Sequence, residues 1–324
     1  MDIQVDVRKA VWSRYWSHGI AHSCGGSYGN RYEGALARFW RTAGAALAPG
    51  ARVLDIATGN GAVPQLLLDS TEVAFACDAI DLAQPDPQWL AALPDHKRRQ
   101  LRFHGQQVAE ALPFPDAHFD LVTSQYGLEY TDLTRSLPEI RRVLRPGGKV
   151  RLITHGADAR PVRLARAELA HLDWMAAPGG LLDTGRLMTE PMARAATEAG
   201  RAALAGDAGA NALRARFNAL QTEATRLAAA SDCPDVLAEA RTDLAGILNL
   251  ALAQGAAVAQ DALGRMLRDL DDSRVRLQEL VDYALDEAGA QGLAAALAKG
   301  GEQQVEALFD NGVLMGWCIA ADPL

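Results

Sequence analysis

Apolar positions along the chain follow two regimes. Between residues 51 and 154, short apolar runs alternate with segments whose apolar residues recur every three or four positions. The run 51–57 has a β-branched centre and is punctuated by Pro49-Gly50 at its start, which predicts a buried parallel strand. A glycine-containing turn follows, then a helix through Leu66, Leu67 and Leu68. Residues 72–78, 101–104 and 119–125 predict three more strands, the last preceded by turn chemistry at Pro115-Asp116. Leu133, Leu137, Ile140 and Leu144 share one helical face, and Pro146-Gly147-Gly148 predicts the stop before a fifth strand at 149–154. Strands alternating with helices predict right-handed βαβ units and a parallel sheet.

From about residue 157 to 300 the chain is rich in Ala, Leu, Arg and Glu and poor in β-branched residues, which predicts helices. Leu213, Phe217, Leu220, Ala224 and Leu227 form one apolar stripe. Leu263, Leu267, Leu270, Leu277, Val281 and Ala284 form another, interrupted at Arg274, where Asp271-Asp272-Ser273 predicts the cap of a new helix. The end of the chain reads as a hairpin around Asp310-Asn311-Gly312. No fixed-period repeat is present.

The candidate chemistry begins at Val53-Leu-Asp-Ile-Ala-Thr-Gly-Asn-Gly61. Asp55 closes the strand, and Gly59-Asn60-Gly61 lets backbone approach a ligand at a helix N-terminus. Such a turn alone is shared by NAD, FAD and S-adenosylmethionine (SAM) proteins, and also by turns that bind nothing. Three further blocks follow: Phe75-Ala-Cys-Asp78, then Val108-Ala-Glu-Ala-Leu-Pro-Phe-Pro-Asp116 with Phe119-Asp120, and Glu139-Ile-Arg-Arg-Val-Leu-Arg-Pro-Gly-Gly148.

Over roughly residues 50 to 155 these four ordered blocks resemble class I SAM-dependent methyltransferases, particularly the small-molecule, quinone-biosynthesis-like group of methyltransferase type 11. The resemblance implies SAM as cofactor and methyl transfer to a small, hydrophobic or aromatic acceptor on oxygen, nitrogen or carbon. Asp55, Gly59 and Gly61 match the first motif, with Ala57 in place of its first glycine and Asn60 between the other two. Asp78, beside Ala79, matches the acidic residue that holds the ribose hydroxyls, with Asp81 as the alternative. Val108 stands where the family has an Asp that reaches adenine, so that contact falls to backbone at Val108 and Ala109, with Gln107. Gln125 and Tyr126, after strand four, are expected to flank the cofactor. Glu129 and His155 are candidates to take a proton from the acceptor, or polar residues bonded to neighbouring backbone. The missing third glycine and the later blocks argue against an NAD enzyme.

The resemblance also implies the architecture, an α/β, Rossmann-like class I methyltransferase sheet. Residues 49–156 and 301–324 would form the core, and 157–300 a helical insertion between strand five and a closing strand pair. Residues 1–48 would form a helical, aromatic cap containing Trp12, Tyr15, Trp16, His18, His22, Tyr28 and Tyr32. These aromatics either cover the methionine end of SAM and the acceptor, by stacking and cation–π contact, or pack on the sheet. His18 and His22 have i,i+4 spacing but no third ligand, so no metal site is expected. The insertion is expected to act as a lid and to supply a possible homodimer contact.

Charge and cysteine content narrow the class. The 324 residues carry a formal net charge of -8, which gives no electrostatic footprint for nucleic acid. The basic run Lys97-Arg98-Arg99 reads as a solvated helix end. Cys24, Cys77, Cys233 and Cys318 form no CxxC pair, so neither a disulfide framework nor zinc is indicated. Neither a signal peptide nor an apolar run of ~18 residues is read, so a cytoplasmic protein without integral membrane contact is expected. Two other functions fit the same residues: a protein methyltransferase that docks its partner on the insertion, and a non-catalytic SAM-binding protein.

Overall fold

A computed structural model describes residues 3–20 and 32–323. The expectations for His22, Cys24 and Tyr28 lie outside the described residues. The chain divides into two compact units, Met1–Arg163 with Glu279–Leu324, and Leu164–Gln278.

The first unit is built on a seven-stranded sheet of order β3-β2-β1-β4-β5-β7-β6. Its strands are β1 (Arg52–Ile56), β2 (Ala76–Ile80), β3 (Leu101–His104), β4 (Phe119–Gln125), β5 (Leu144–Thr154), β6 (Glu302–Asp310) and β7 (Val313–Asp322). β1 to β5 pair in parallel, and β7 runs antiparallel to both β5 and β6. This is the expected α/β arrangement. The hairpin turns at Asn311 (φ 49°) and Gly312 (φ 77°), the paired left-handed conformations of the tight turn that Asn-Gly favours.

Consecutive strand residues point to opposite faces, so each buried strand feeds two cores. Leu54, Ile56, Val122 and Leu152 enter one. Val53, Cys77, Leu121 and Ile153 enter the other, where Trp40 and Leu36 of the helix Gly34–Ala45 are fully buried. The carboxylate of Asp310, at the tip of the closing hairpin, accepts from the Ala35 N–H at 2.9 Å and so satisfies one open donor at that helix's start.

Three boundaries differ from the sequence reading. β2 begins at Ala76, where it pairs with Arg52, and runs to Ile80, so Asp78 lies at its centre and Asp81 just beyond its end. The helix Leu133–Val143 stops before Leu144, and Pro146-Gly147-Gly148 falls instead in a register shift within β5, between Leu144 paired with Phe119 and Lys149 paired with Leu121. The helix Glu287–Ala298 belongs to the sheet unit, because Leu293, Ala294 and Leu297 are buried in the same core as Leu152 and Ile319. The helical insertion is therefore narrower than 157–300.

The second unit is helical and has its own core, including Leu172, Met175, Phe217, Leu237 and Leu244. The stripe on Ala208–Ala229 is confirmed: Phe217 and Ala224 are buried, with Leu213, Leu220 and Leu227 packed against the same core. The expected break at Asp271-Asp272-Ser273 is absent. Ala256–Tyr283 is one continuous helix. Leu270 and Leu277 are two turns apart, so continuing the helix keeps both on one face at a small propensity cost. Among the described residues, no helix is long and apolar enough to cross a membrane.

Candidate cofactor and acceptor site

The site starts at the turn that follows β1. Ala57 (φ 54°), Gly59 (φ 54°) and Gly61 (φ 81°) are all left-handed. A Cβ on Gly59 would fall 2.6 Å from the Trp16 ring, and one on Gly61 would fall 2.5 Å from Phe103. Only glycine fits either place. Asn60 is buried and fully used: its Nδ2 donates to the Trp16 and Ile20 carbonyls at 2.9 and 2.8 Å, and its Oδ1 accepts from the Asp86 N–H at 2.7 Å. It therefore fastens the N-terminal segment to the turn.

Two buried carboxylates face this turn. Asp81 accepts from the Gly59 N–H at 2.7 Å and from the Ala83 N–H at 2.8 Å. Burial raises its pKa despite those two bonds. Asp55 accepts from the Thr123 hydroxyl at 2.6 Å, and burial pushes its carboxyl up to about 7. Among the described residues neither carboxylate has a cationic partner.

Both acids line a cavity of about 480 Å³ at the carboxyl edge of the sheet. Ala57 and Gly59 form the wall beside them, and Gln107, Val108 and Ala109 form another part of it. The remainder mixes aliphatic, polar and charged residues with aromatic ones, among them Trp12 and Trp16 from the helix Ile3–Ser17 and Tyr126 and Tyr130 from the segment after β4. Trp12 and Trp16 are stacked, with ring centroids 5.7 Å apart. The N-terminal helix thus contributes two aromatic rings to the cavity wall, one of them, Trp16, also buried.

Residues 54–152 match the family described as Methyltransferase domain. The ubiquinone/menaquinone biosynthesis C-methyltransferase UbiE of Ralstonia pickettii is 33% identical over 167 residues, covering 45% of this chain and 63% of that protein. The UbiE protein of Shewanella frigidimarina is 37% identical over 125 residues, covering 35% of this chain and 47% of that protein. Among solved structures, the YcgJ protein from Bacillus subtilis is 28% identical with a TM-score of 0.33, covering 43% of this chain and 58% of that one. The match thus spans less than two thirds of the length of these relatives. Residues 54–152 form a class I SAM-dependent methyltransferase domain.

The residues present fit SAM. Two buried acids without a cation suit a ligand that carries a sulfonium, an ammonium and ribose hydroxyls. Of the expected cofactor residues, Asp55, Ala57 and Gly59 line the cavity, as do Gln107, Val108, Ala109 and Gln125. The Gln125 side-chain carbonyl accepts from Trp40 Nε1. Asn60, Gly61, Asp78 and Ala79 are not in the wall. Asp78 is turned to the edge strand, accepting from Arg102 Nε at 3.0 Å with His104 Nε2 at 2.8 Å. Burial works to raise its pKa, but these partners outweigh it and hold the carboxyl below its ordinary value.

Of the expected catalytic residues, Tyr126 is in the wall, while Glu129 and His155 are buried off it, 3% and 1% exposed. Glu129 Oε1 accepts from the His155 N–H at 2.8 Å and lies 2.9 Å from His155 Nδ1. The imidazole stacks on Tyr126 at 4.1 Å between centroids. The pair therefore backs the aromatic wall. Arg8 and Tyr130, which sequence reasoning did not single out, are wall residues. Nothing local marks Arg8, since its partners lie far away in the chain.

Proposed function

We propose that this protein transfers a methyl group from SAM to a small, hydrophobic or aromatic acceptor. The observation that carries this reading is a cavity whose wall holds two buried acids, Asp55 and Asp81, with no cationic partner among the described residues, together with tryptophan and tyrosine rings. Asp81 would hold the ribose hydroxyls, because it, and not Asp78, reaches the cavity from the end of β2. The Gly59 backbone would lie against the methionine portion, and residues 107–109 against adenine. SAM supplies a methyl group on a sulfonium. The chain's own work is to hold donor and acceptor together, orient them and exclude water. Trp12, Trp16, Tyr126 and Tyr130 supply flat apolar surfaces that suit a planar acceptor and a sulfonium. The names of the UbiE relatives support a small-molecule acceptor.

The test is calorimetric titration of SAM into the wild-type protein, followed by transfer of labelled methyl to a panel of aromatic acceptors. Saturable 1:1 binding with transfer to at least one acceptor is expected. Absence of SAM binding at millimolar concentration would refute the reading.

A further inference from the structure

We propose that Arg8 recognises an acidic hydroxyl of the acceptor and holds it as the oxyanion. This rests on the methyl-transfer reading and adds a residue that activates the acceptor.

Arg8 lies on the helix Ile3–Ser17 and forms part of the cavity wall. Its side chain is only 16% exposed. Nε donates to Glu279 Oε1 at 2.6 Å, one terminal nitrogen donates to the Tyr130 carbonyl at 2.8 Å, and the other to the Tyr283 hydroxyl at 3.0 Å. The guanidinium sits 5.2 Å from the Tyr283 ring centroid. A guanidinium has five N–H donors in a fixed fork. These bonds use three, and each terminal nitrogen keeps one N–H. Glu279 also accepts from Trp12 Nε1 at 3.3 Å, so both of its oxygens are engaged, and it is not in the wall. The acceptor therefore meets the cationic end of the pair.

The other charged groups of the wall do not serve this role. Asp55 and Asp81 sit at the glycine turn, where the cofactor's own charges and hydroxyls need them. Glu110 accepts from the Asp132 N–H at 2.8 Å, and Asp132 accepts from the Thr134 N–H at 3.0 Å. Arg135 is exposed. Glu129 and His155, the bases expected from sequence, are buried and do not line the cavity. An acceptor hydroxyl that ionises in this pocket gives its proton to solvent and keeps the electron pair on oxygen. An oxyanion against tryptophan and tyrosine alone would be strongly disfavoured. Beside a part-buried, pre-oriented guanidinium it gains charge-assisted hydrogen bonds that water screens little.

The experiment uses 4-nitrophenol, whose phenolate absorbs visibly, with protein saturated by S-adenosylhomocysteine. The bound phenol's ionisation is followed by absorbance across pH. The wild type should bind it and raise its ionisation constant at least tenfold over free phenol. Arg8→Gln should remove that shift. Glu279→Gln, which deletes the counter-charge but keeps Arg8, should enlarge it. No binding, no shift in the wild type, or a shift that survives in Arg8→Gln would overturn the proposal. If Arg8→Gln melts well below the wild type, Glu279→Gln decides alone, and a shift no larger than wild type overturns it. S-adenosylhomocysteine binding is measured in the same samples. Its absence refutes the methyl-transfer reading, whereas its presence without a phenolate shift refutes the role of Arg8 alone.

Discussion

Asp81 Oδ2 accepts the Gly59 backbone N–H at 2.7 Å, joining the end of β2 to the turn that follows β1. This bond aims a buried carboxylate at the cavity and holds the glycine turn in its left-handed path. Asp78, three residues earlier, faces Arg102 and His104 on the edge strand.

The two acids should therefore separate in a binding assay. Asp81→Ala should weaken SAM affinity by at least tenfold, since each hydrogen bond to a charged group contributes about 1.5–3 kcal/mol. Asp78→Ala should change it less than threefold. Calorimetry on both variants checks this, and a larger loss in Asp78→Ala would reverse the assignment.

Asp55 should make the ligand-free protein less stable as pH rises. Its folded-state carboxyl sits at about 7, against about 3.9 for an unfolded Asp. Between those values the folded state binds more protons, so its stability falls with rising pH and stays reduced above 7. The difference amounts to roughly 4 kcal/mol at about 1.4 kcal/mol per unit. Asp55→Asn removes the ionisation. The variant should gain melting temperature relative to wild type at pH 8 but not at pH 4, while binding SAM more weakly at pH 8. A variant-to-wild-type difference that is the same at both pH values would count against this.

Ala57 carries a Cβ in a left-handed conformation, φ 54°. An L-residue there costs about 1–2 kcal/mol, partly offset by the greater freedom glycine has when unfolded. Ala57→Gly should stabilise the protein by about 0.5–1 kcal/mol, read as a higher denaturation midpoint with an unchanged m-value. A lower midpoint would mean that its methyl packs better than its backbone strain costs.

Glu129 satisfies two donors of His155, its backbone N–H and Nδ1. Glu129→Ala leaves them buried without that partner and should cost about 1–3 kcal/mol per group. Glu129→Gln keeps an acceptor and should cost less. Urea unfolding of both variants checks the order.

Excising 164–278 with a short linker should leave SAM binding within a few-fold of wild type. Asp55, Gly59 and Asp81 all lie in the sheet unit, and the excised helices have their own core. Loss of SAM binding in a truncation that still shows a cooperative melt would contradict this.

Much of this molecule follows from local chemistry. Pro49-Gly50 before an apolar run, Gly59-Asn60-Gly61 after it, and Asn311-Gly312 between two strands each impose a conformation that few other residues adopt, so strand, turn and hairpin were legible. The stripe on Ala208–Ala229 was legible because helical periodicity needs only its own segment. The tertiary structure decided which acid reaches the cavity, since pairing with β1 sets where β2 begins and ends. It decided that Glu129 and His155 lie behind the wall, because burial depends on what packs over them. It also brought Arg8 to Glu279, 271 positions apart. Contacts at such separation form only when the whole sheet unit has closed, and no periodicity or spacing along the chain encodes them.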